Sequence, residues 1–246
     1  MKNKILCINN LNKIYYSLNN NVLAVKDVSI DLYDKEIISI VGPSGCGKST
    51  ILSIIAGLNS QTHGKVLTNK SIGIMLQKDA LLPYLNILDN TLIGIKMRRK
   101  VLDSDIEFVK NLLNKYGLSD FIYKYPNSLS GGMRQRVSLI RTLALKPDII
   151  LFDEALSALD YQTKLYISKD IYNIIRELGL SAIFVTHDIE DAVAISDRIY
   201  VLSSKPATVK NIYEINIYKN NPIDARSDSN FRNYVNNIWK DLDINE

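Results

Sequence analysis

Apolar and polar positions along the chain follow two regimes. Short apolar runs at residues 37–41, 149–152, 182–186 and 198–202 have the length and near-continuous hydrophobicity of strands buried on both faces. They alternate with longer amphipathic stretches, which predicts a largely parallel sheet with helical crossovers. Further strands are predicted at 22–32, 65–68 and 72–76. From 85 to 127 the spacing becomes helical, with Ile106, Val109, Leu112 and Leu113 on one face behind Asp103 and Ser104 as capping candidates. This stretch reads as a helical lobe inserted into the core, about residues 85–145, with the core itself at about 1–84 and 146–246. Near the end, Phe231, Tyr234, Val235, Ile238, Trp239 and Leu242 recur at helical spacing. They predict a terminal helix over about 227–243 whose stripe, Trp239 included, packs on the core.

Length and composition fit a single soluble enzyme domain. The 246 residues are 46% hydrophobic and 23% charged, enough to bury a substantial core. No apolar run approaches the length that spans a bilayer, and the first ten residues turn polar before a signal-peptide core can form, so a cytoplasmic location is expected. Cys7 and Cys46 give neither a disulfide framework nor a metal spacing. The net charge of +4 is modest, and its densest run, Lys96-Met-Arg-Arg-Lys100, lacks interleaved aromatics and reads as a solvated helix end rather than a nucleic-acid patch.

Chemistry enters at residues 42–50, Gly42-Pro43-Ser44-Gly45-Cys46-Gly47-Lys48-Ser49-Thr50. This is Gly, four residues, then Gly-Lys-Ser, directly after an apolar strand: the pattern of a loop that cradles phosphate. Glycines let backbone N–H groups converge on phosphate oxygens, the new helix presents its positive end, and Lys48 and the Ser49 hydroxyl reach the β/γ phosphates and Mg²⁺. The strand at 149–152 runs into Asp153 and Glu154, an arrangement in which one carboxylate serves Mg²⁺ and the other polarises the attacking water. Leu129-Ser130-Gly131-Gly132-Met133 is a second glycine turn opening a helix and a second anion site. A helix cap alone explains Ser130 but does not require two glycines.

Taken in order, the phosphate loop, Gln77, Leu-Ser-Gly-Gly-Met at 129–133, Asp153-Glu154, Ser157-Ala-Leu-Asp160 and Val185-Thr-His-Asp188 resemble the ATP-binding cassette ATPases across nearly the whole chain. Leu81-Leu-Pro-Tyr84, the residues following Asp160, and Leu202-Ser-Ser-Lys-Pro206 look like the ATPase subunits of nitrate, sulfonate, taurine and bicarbonate importers. The resemblance implies an α/β P-loop fold with a largely parallel core sheet, an N-terminal antiparallel β-subdomain and an inserted helical subdomain. It further implies ATP and Mg²⁺ as cofactors, with Gly42 to Thr50 on the phosphates and Ser49, Gln77 and Asp153 around the metal. Glu154 is then the general base, Gln77 the sensor of metal and water, and His187 a contact to the γ phosphate. Tyr15, with Tyr16 as its neighbour, is the expected adenine platform.

Ser130, Gly131 and Gly132 in that family complete the ATP site of the opposite subunit, which implies a homodimer with ATP between its halves. The other implied partners are integral-membrane permease subunits and, indirectly, a solute-binding protein, at the cytoplasmic face of the membrane. An exporter ATPase, or a soluble cassette ATPase not tied to transport, would carry the same core motifs. Three positions depart from the family pattern: Ala155 where Pro is usual, Asp34-Lys35 where a Gly commonly precedes Glu36, and Ala207 after Pro206. A strained turn is expected at the second.

Overall fold

A computed structural model describes residues 3–16, 20–157 and 159–242. The chain opens with two long antiparallel strands, β1 (Lys4–Tyr15) and β2 (Val22–Tyr33), then enters the core through β3 (Ile37–Val41) and α1 (Lys48–Ile55). It returns to β1 with β4 (His63–Leu67), giving a three-stranded antiparallel sheet in the order β2-β1-β4. After β5 (Ile72–Met75) come the helices α2 (Ile87–Lys96), α3 (Asp103–Lys115) and α4 (Gly131–Leu143), with short 3-10 turns at Ser119–Phe121 and Pro126–Ser128. The core then continues as β6 (Ile149–Asp153), α5 (Tyr161–Glu177), β7 (Ser181–Thr186), α6 (Ile189–Ile195), β8 (Arg198–Leu202) and β9 (Val209–Glu214), and closes with α7 (Pro222–Ala225) and α8 (Phe231–Leu242). The second sheet has the order β5-β6-β7-β3-β8-β9, parallel except for β9, which runs antiparallel to β8.

Alternation along the apolar strands decides which face meets which layer. On β6 and β7, Ile150, Phe152, Ala182 and Phe184 join the cluster of the helical lobe and α5. Ile149, Leu151, Ile183 and Val185 point the other way, to α1 and the antiparallel sheet. Both faces are therefore buried, which is why these strands lack polar alternation. Phe152 and Phe184, directly paired across β6 and β7, stack with ring centres 4.2 Å apart. A third cluster joins β8 to α6 and α8 through Ile199, Val201, Val235 and Ile238.

Several expectations are corrected in detail. The strand expected at 65–68 begins two residues earlier, and Thr68 lies beyond it with its hydroxyl donating to the Ile5 carbonyl at 2.8 Å. The strand expected at 72–76 ends at Met75, leaving Leu76 exposed. The stretch 85–127 is broken into two helices and two 3-10 turns. Asp103 and Ser104 are helical residues of α3 rather than its cap: Asp105 instead accepts the Leu102 N–H at 2.9 Å and a two-pronged bond from Arg99 at 2.6 and 2.9 Å. Trp239 is 53% exposed. The stripe Phe231, Val235, Ile238 fills the contact with α6 and β8, and the adjacent residue points about 100° away from Ile238. The terminal helix begins at Phe231 rather than 227, and residue 243 of the expected span lies outside the described residues.

The strained turn at Lys35 is present. Its φ is +58°, in the left-handed region. The surroundings hold it there: Lys35 N–H donates to Ser181 Oγ at 2.7 Å and its carbonyl accepts from Arg176 Nη1 at 2.9 Å. Next to it, Glu36, 4% exposed, takes both prongs of Arg198 at 2.7 and 3.0 Å and the Tyr33 N–H at 2.9 Å. A buried charge held by three hydrogen bonds, two of them from a guanidinium, is tolerated, whereas removing one partner costs about 3–5 kcal/mol.

The Arg99 fork and the Leu102 N–H hold the Asp105 carboxyl down at about 2. Its unfolded value is near 3.9, so the stabilisation is fully present above about pH 4 and is lost as pH falls toward 2. Asp105→Asn should therefore melt at a lower temperature than wild type near neutral pH, and the two melting curves should converge as pH drops through that window. A difference that stays constant across the same pH range would show that the charge contributes nothing.

Candidate active site

The phosphate loop leaves β3 at Val41 and feeds α1, whose N-cap is Gly47 at φ +129°. Gly45 is at φ +74°. A Cβ at Gly47 would lie 2.9 Å from the Ala24 carbonyl oxygen, and one at Gly42 would lie 3.0 Å from Cys46 Sγ. Gly47 is demanded by close approach as well as by conformation, and Gly42 by close approach alone. Lys48 is 4% exposed, its Nζ donating to the carbonyls of Gly42 at 2.8 Å and Pro43 at 2.9 Å. Two of its three protons thus fix the ammonium over the loop, and the third remains for an anion. Gly45, Gly47, Lys48, Ser49, Thr50 and Glu154 line one open groove. Pro43 and Ser44 complete the loop's outer rim, and Cys46 is buried beneath it. Ala207, fully buried, packs under the same loop and pairs with β2 by giving its N–H to the Ala24 carbonyl at 2.9 Å.

Ser49 Oγ donates to Asp153 Oδ1 at 2.9 Å. Burial raises the Asp153 carboxyl above its usual range, aided by the charge of Glu154, while the Ser49 bond opposes the rise. A carboxylate so placed is improved by a nearby cation. Among the described residues no cluster of three or more His, Cys, Asp or Glu is placed to hold a metal. One carboxylate and one hydroxyl beside a phosphate cradle suit Mg²⁺, which keeps waters and takes substrate phosphates as ligands.

Glu154 sits at φ +46°, a left-handed conformation that costs a non-glycine residue about 1–2 kcal/mol. The turn is held by Glu154 N–H to the Val185 carbonyl at 2.9 Å and by the Ser157 hydroxyl to the Glu154 carbonyl at 2.8 Å. Ala155 in place of Pro is buried within it. His187 Nδ1 lies 3.4 Å from Glu154 Oε1. Gln77 Nε2 donates to Ser157 Oγ at 3.2 Å, so the glutamine, the Ser157 turn and Glu154 form one chain of contacts. Ala158 of the Ser-Ala-Leu-Asp segment lies outside the described residues.

Tyr15 is tethered and Tyr16 is not. The Tyr15 hydroxyl accepts from Asn59 Nδ2 at 2.9 Å and sits 3.4 Å from Thr50 Oγ1. Lys13 Nζ lies 4.9 Å from its ring centre and also donates to Asn59 Oδ1 at 3.1 Å. Tyr16 is 69% exposed. Ser130, by contrast, caps α4 by accepting the Met133 N–H at 3.3 Å, and neither it nor Gly131 or Gly132 lines the phosphate groove. Ser130 and Gly131 are exposed, whereas a Cβ at Gly132 would meet Thr163 Cγ2 at 2.8 Å.

Sequence reasoning passed over the groups that brace the site. Lys13 and Asn59 fix Tyr15. Arg134 and Arg141, seven residues apart and so on one face of α4, grip the loop after Gln77: Arg134 Nε donates to Asp79 Oδ2 at 2.9 Å, and Arg141 donates to the Asp79 and Ala80 carbonyls at 2.6 and 2.7 Å. That spacing was the available signal.

Among known proteins, a family model described as ABC transporter matches residues 25–157. The uncharacterized ABC transporter ATP-binding protein YtlC of Bacillus subtilis is 40% identical over 96% of this chain and 95% of its own length. The nitrate import ATP-binding protein NrtD of Synechocystis is 34% identical over 85% of this chain and 82% of its own. A dimeric ATP-binding cassette in a post-hydrolysis state, bound to ADP and Pi, superposes with a TM-score of 0.75 at 30% identity over 87% of this chain and all of that one. The chain therefore belongs to the ABC transporter family, as one of its ATP-binding, ATP-hydrolysing members.

Proposed function

We propose that this ATPase works as a homodimer at the cytoplasmic face of a membrane, energising a permease that imports a small solute, a nitrate-, sulfonate- or taurine-type anion or a related metabolite. One observation carries the dimer. The chain holds a built phosphate cradle and, apart from it, an exposed Ser130-Gly131 turn at a helix N-terminus that lines no part of that cradle. Two copies facing each other would give each cradle the partner's turn as a second anion clamp. The nitrate-importing relative supports the importer reading.

In this reading the γ phosphate lies against Lys48 and the loop amides. Ser49 and Asp153 would hold Mg²⁺, with Gln77 beside them; when bound, the ion offsets charge on the β and γ oxygens. Glu154 accepts a proton from water as the water oxygen bonds to phosphorus, and the bond to the bridging oxygen breaks with its electron pair leaving on ADP. His187, 3.4 Å from Glu154, is placed to donate to the transferred phosphoryl group. Glu154→Gln should keep ATP affinity within about twofold, lower turnover by about 10²–10⁴-fold, and accumulate an ATP-dependent dimer visible by size exclusion with light scattering. Near-wild-type turnover in that variant would sink the assignment.

The tethered ring supports Tyr15 rather than Tyr16 as the adenine platform in this reading. Tyr15→Ala should weaken ATP binding by the roughly 1–3 kcal/mol that base stacking supplies, about 5- to 150-fold in Kd, while Tyr16→Ala leaves it unchanged. Titration calorimetry separates the two, and the reverse ranking would reassign the stack.

In the same reading the permease docks on the loop before α2. Asn90, fully buried, staples that loop by accepting the Leu82 N–H at 2.7 Å and donating to the Leu82 and Leu85 carbonyls at 3.0 and 2.9 Å. Leu81 packs into the lobe core, whereas Tyr84 is 72% exposed. Backbone bonds from Ile87 and Leu88 to the Lys124 and Ile122 carbonyls bring Tyr123 and Tyr125, 66% and 54% exposed, to the same end of the lobe. Exposed aromatics on a stapled backbone suit a partner helix. Leu82→Glu and Tyr84→Ala should leave ATP affinity intact yet reduce co-purification with the permease at least about tenfold, the effect of losing a modest interface anchor. Unaltered assembly and uptake in both variants would assign the segment to lobe packing and return a soluble cassette role to consideration.

A further inference from the structure

The turn that carries His187 lies over a cavity of about 70 Å³. Glu154, His187, Lys164, Asp188 and Asp191 are among the residues that line it. The His187 side chain is 53% exposed, so apolar packing does little to fix the turn. Ion pairs take its place. Lys164 Nζ, in the first turns of α5, lies 2.5 Å from Asp188 Oδ2 and 2.5 Å from Asp191 Oδ2. Asp188 follows His187 and caps α6 by accepting the Asp191 N–H at 3.0 Å, while its own N–H donates to Thr186 Oγ1 at 3.0 Å. The residues on both sides of His187 are thereby fixed.

The last member comes from the far end of the chain. Arg226, directly after α7 and beyond the segment matched by the family model, sends Nη2 to Asp191 Oδ1 at 2.6 Å and Nη1 to Glu190 Oε2 at 2.9 Å. Its side chain is 14% exposed and Asp191 is 10% exposed. Asp191 is the buried carboxylate of the cluster and takes both cations, whereas Glu190 and Asp188 stay partly exposed, so losing either cation leaves the Asp191 charge short of a partner. Burial and the neighbouring Asp188 charge drive Asp191 upward from its usual range. Asp188 also feels burial, but Lys164 and the α6 N–H bring it below its usual range.

We infer that Arg226 is a positioning residue for the hydrolytic site: through Asp191, Lys164 and Asp188 it holds the His187 turn in place above the cavity. The C-terminal segment is then part of the ATPase machinery. The kinetic side of this inference rests on the reading of His187 as the γ-phosphate contact; the bracing itself does not.

The chain has two histidines, His63 and His187, so their ring carbon–proton NMR signals are assignable by comparison with His63→Gln. In Arg226→Gln of the full-length protein, the His187 signal should shift or broaden while that of His63 stays put. Turnover should fall about 10- to 100-fold with KM for ATP within about twofold, the pattern of a misplaced rather than missing group. Asp191→Asn should reproduce both effects. Arg226→Lys, able to reach one carboxylate at a time, should recover part of the loss and serves as the second variant if the glutamine form fails to fold. A wild-type His187 signal in Arg226→Gln and Asp191→Asn overturns the inference, even if both proteins melt earlier. Wild-type turnover in His187→Ala would instead overturn the γ-phosphate reading, with the His187 signal in Arg226→Gln still reporting on the brace.

Discussion

Parallel pairing of β3 with its neighbours is the constraint on which the rest depends. In the observed register Val41 lies opposite Thr186, Asp153 opposite Val185, and Met75 opposite Phe152. Three strand ends and the end of β5 therefore finish in one row. The next residues in each case are the phosphate loop, His187, Glu154 and, two positions on, Gln77. A shift of one residue in any pairing would turn that strand's apolar side chains to the wrong layer. Burial of both sheet faces thus fixes this row, and the phosphate loop, Glu154 and His187 inherit their alignment from Ile, Val and Phe packing far below them.

Electrostatics then does locally what the apolar core does globally. The carboxyl edge of the sheet gathers Asp153 and Glu154 beside a single buried lysine, and Asp153 is strained toward protonation by its burial. At the opposite edge Glu36 is matched by Arg198, and Asp197 by Arg176 at 2.6 Å, with backbone donors on the remaining oxygens. One end of the sheet is electrostatically complete and the other is not. The imbalance marks the end at which substrate charge is received.

Much of this was legible because the chemistry is carried by short contiguous motifs. Nine residues announce the phosphate loop, and the buried strands need only composition to be found. Other elements were opaque for identifiable reasons. β1 was passed over because register shifts and a left-handed Asn10 break its alternation. β9 was passed over because an exposed edge strand with Lys210, Asn211 and Glu214 has no apolar rhythm. Trp239 misled because a stripe drawn through every apolar residue is wider than the face that packs. The ion pairs of Lys164, Asp188, Asp191 and Arg226 were not legible, since Lys164 and Arg226 reach carboxylates tens of residues away and only the fold brings them together. Tyr15 and Tyr16 could not be separated until Asn59 and Lys13 were seen around one ring.

The grip of Arg134 and Arg141 on residues 79 and 80 has a mechanical consequence. Both arginines rise from α4, the helix that Ser130 opens, and both hold the peptide two or three residues after Gln77. The helix that Ser130 opens and the loop that follows Gln77 are clamped together at two points, which couples their movements. A tilt of α4 would therefore pull on the chain just after β5, so the helical lobe and the end of that core strand are mechanically one piece.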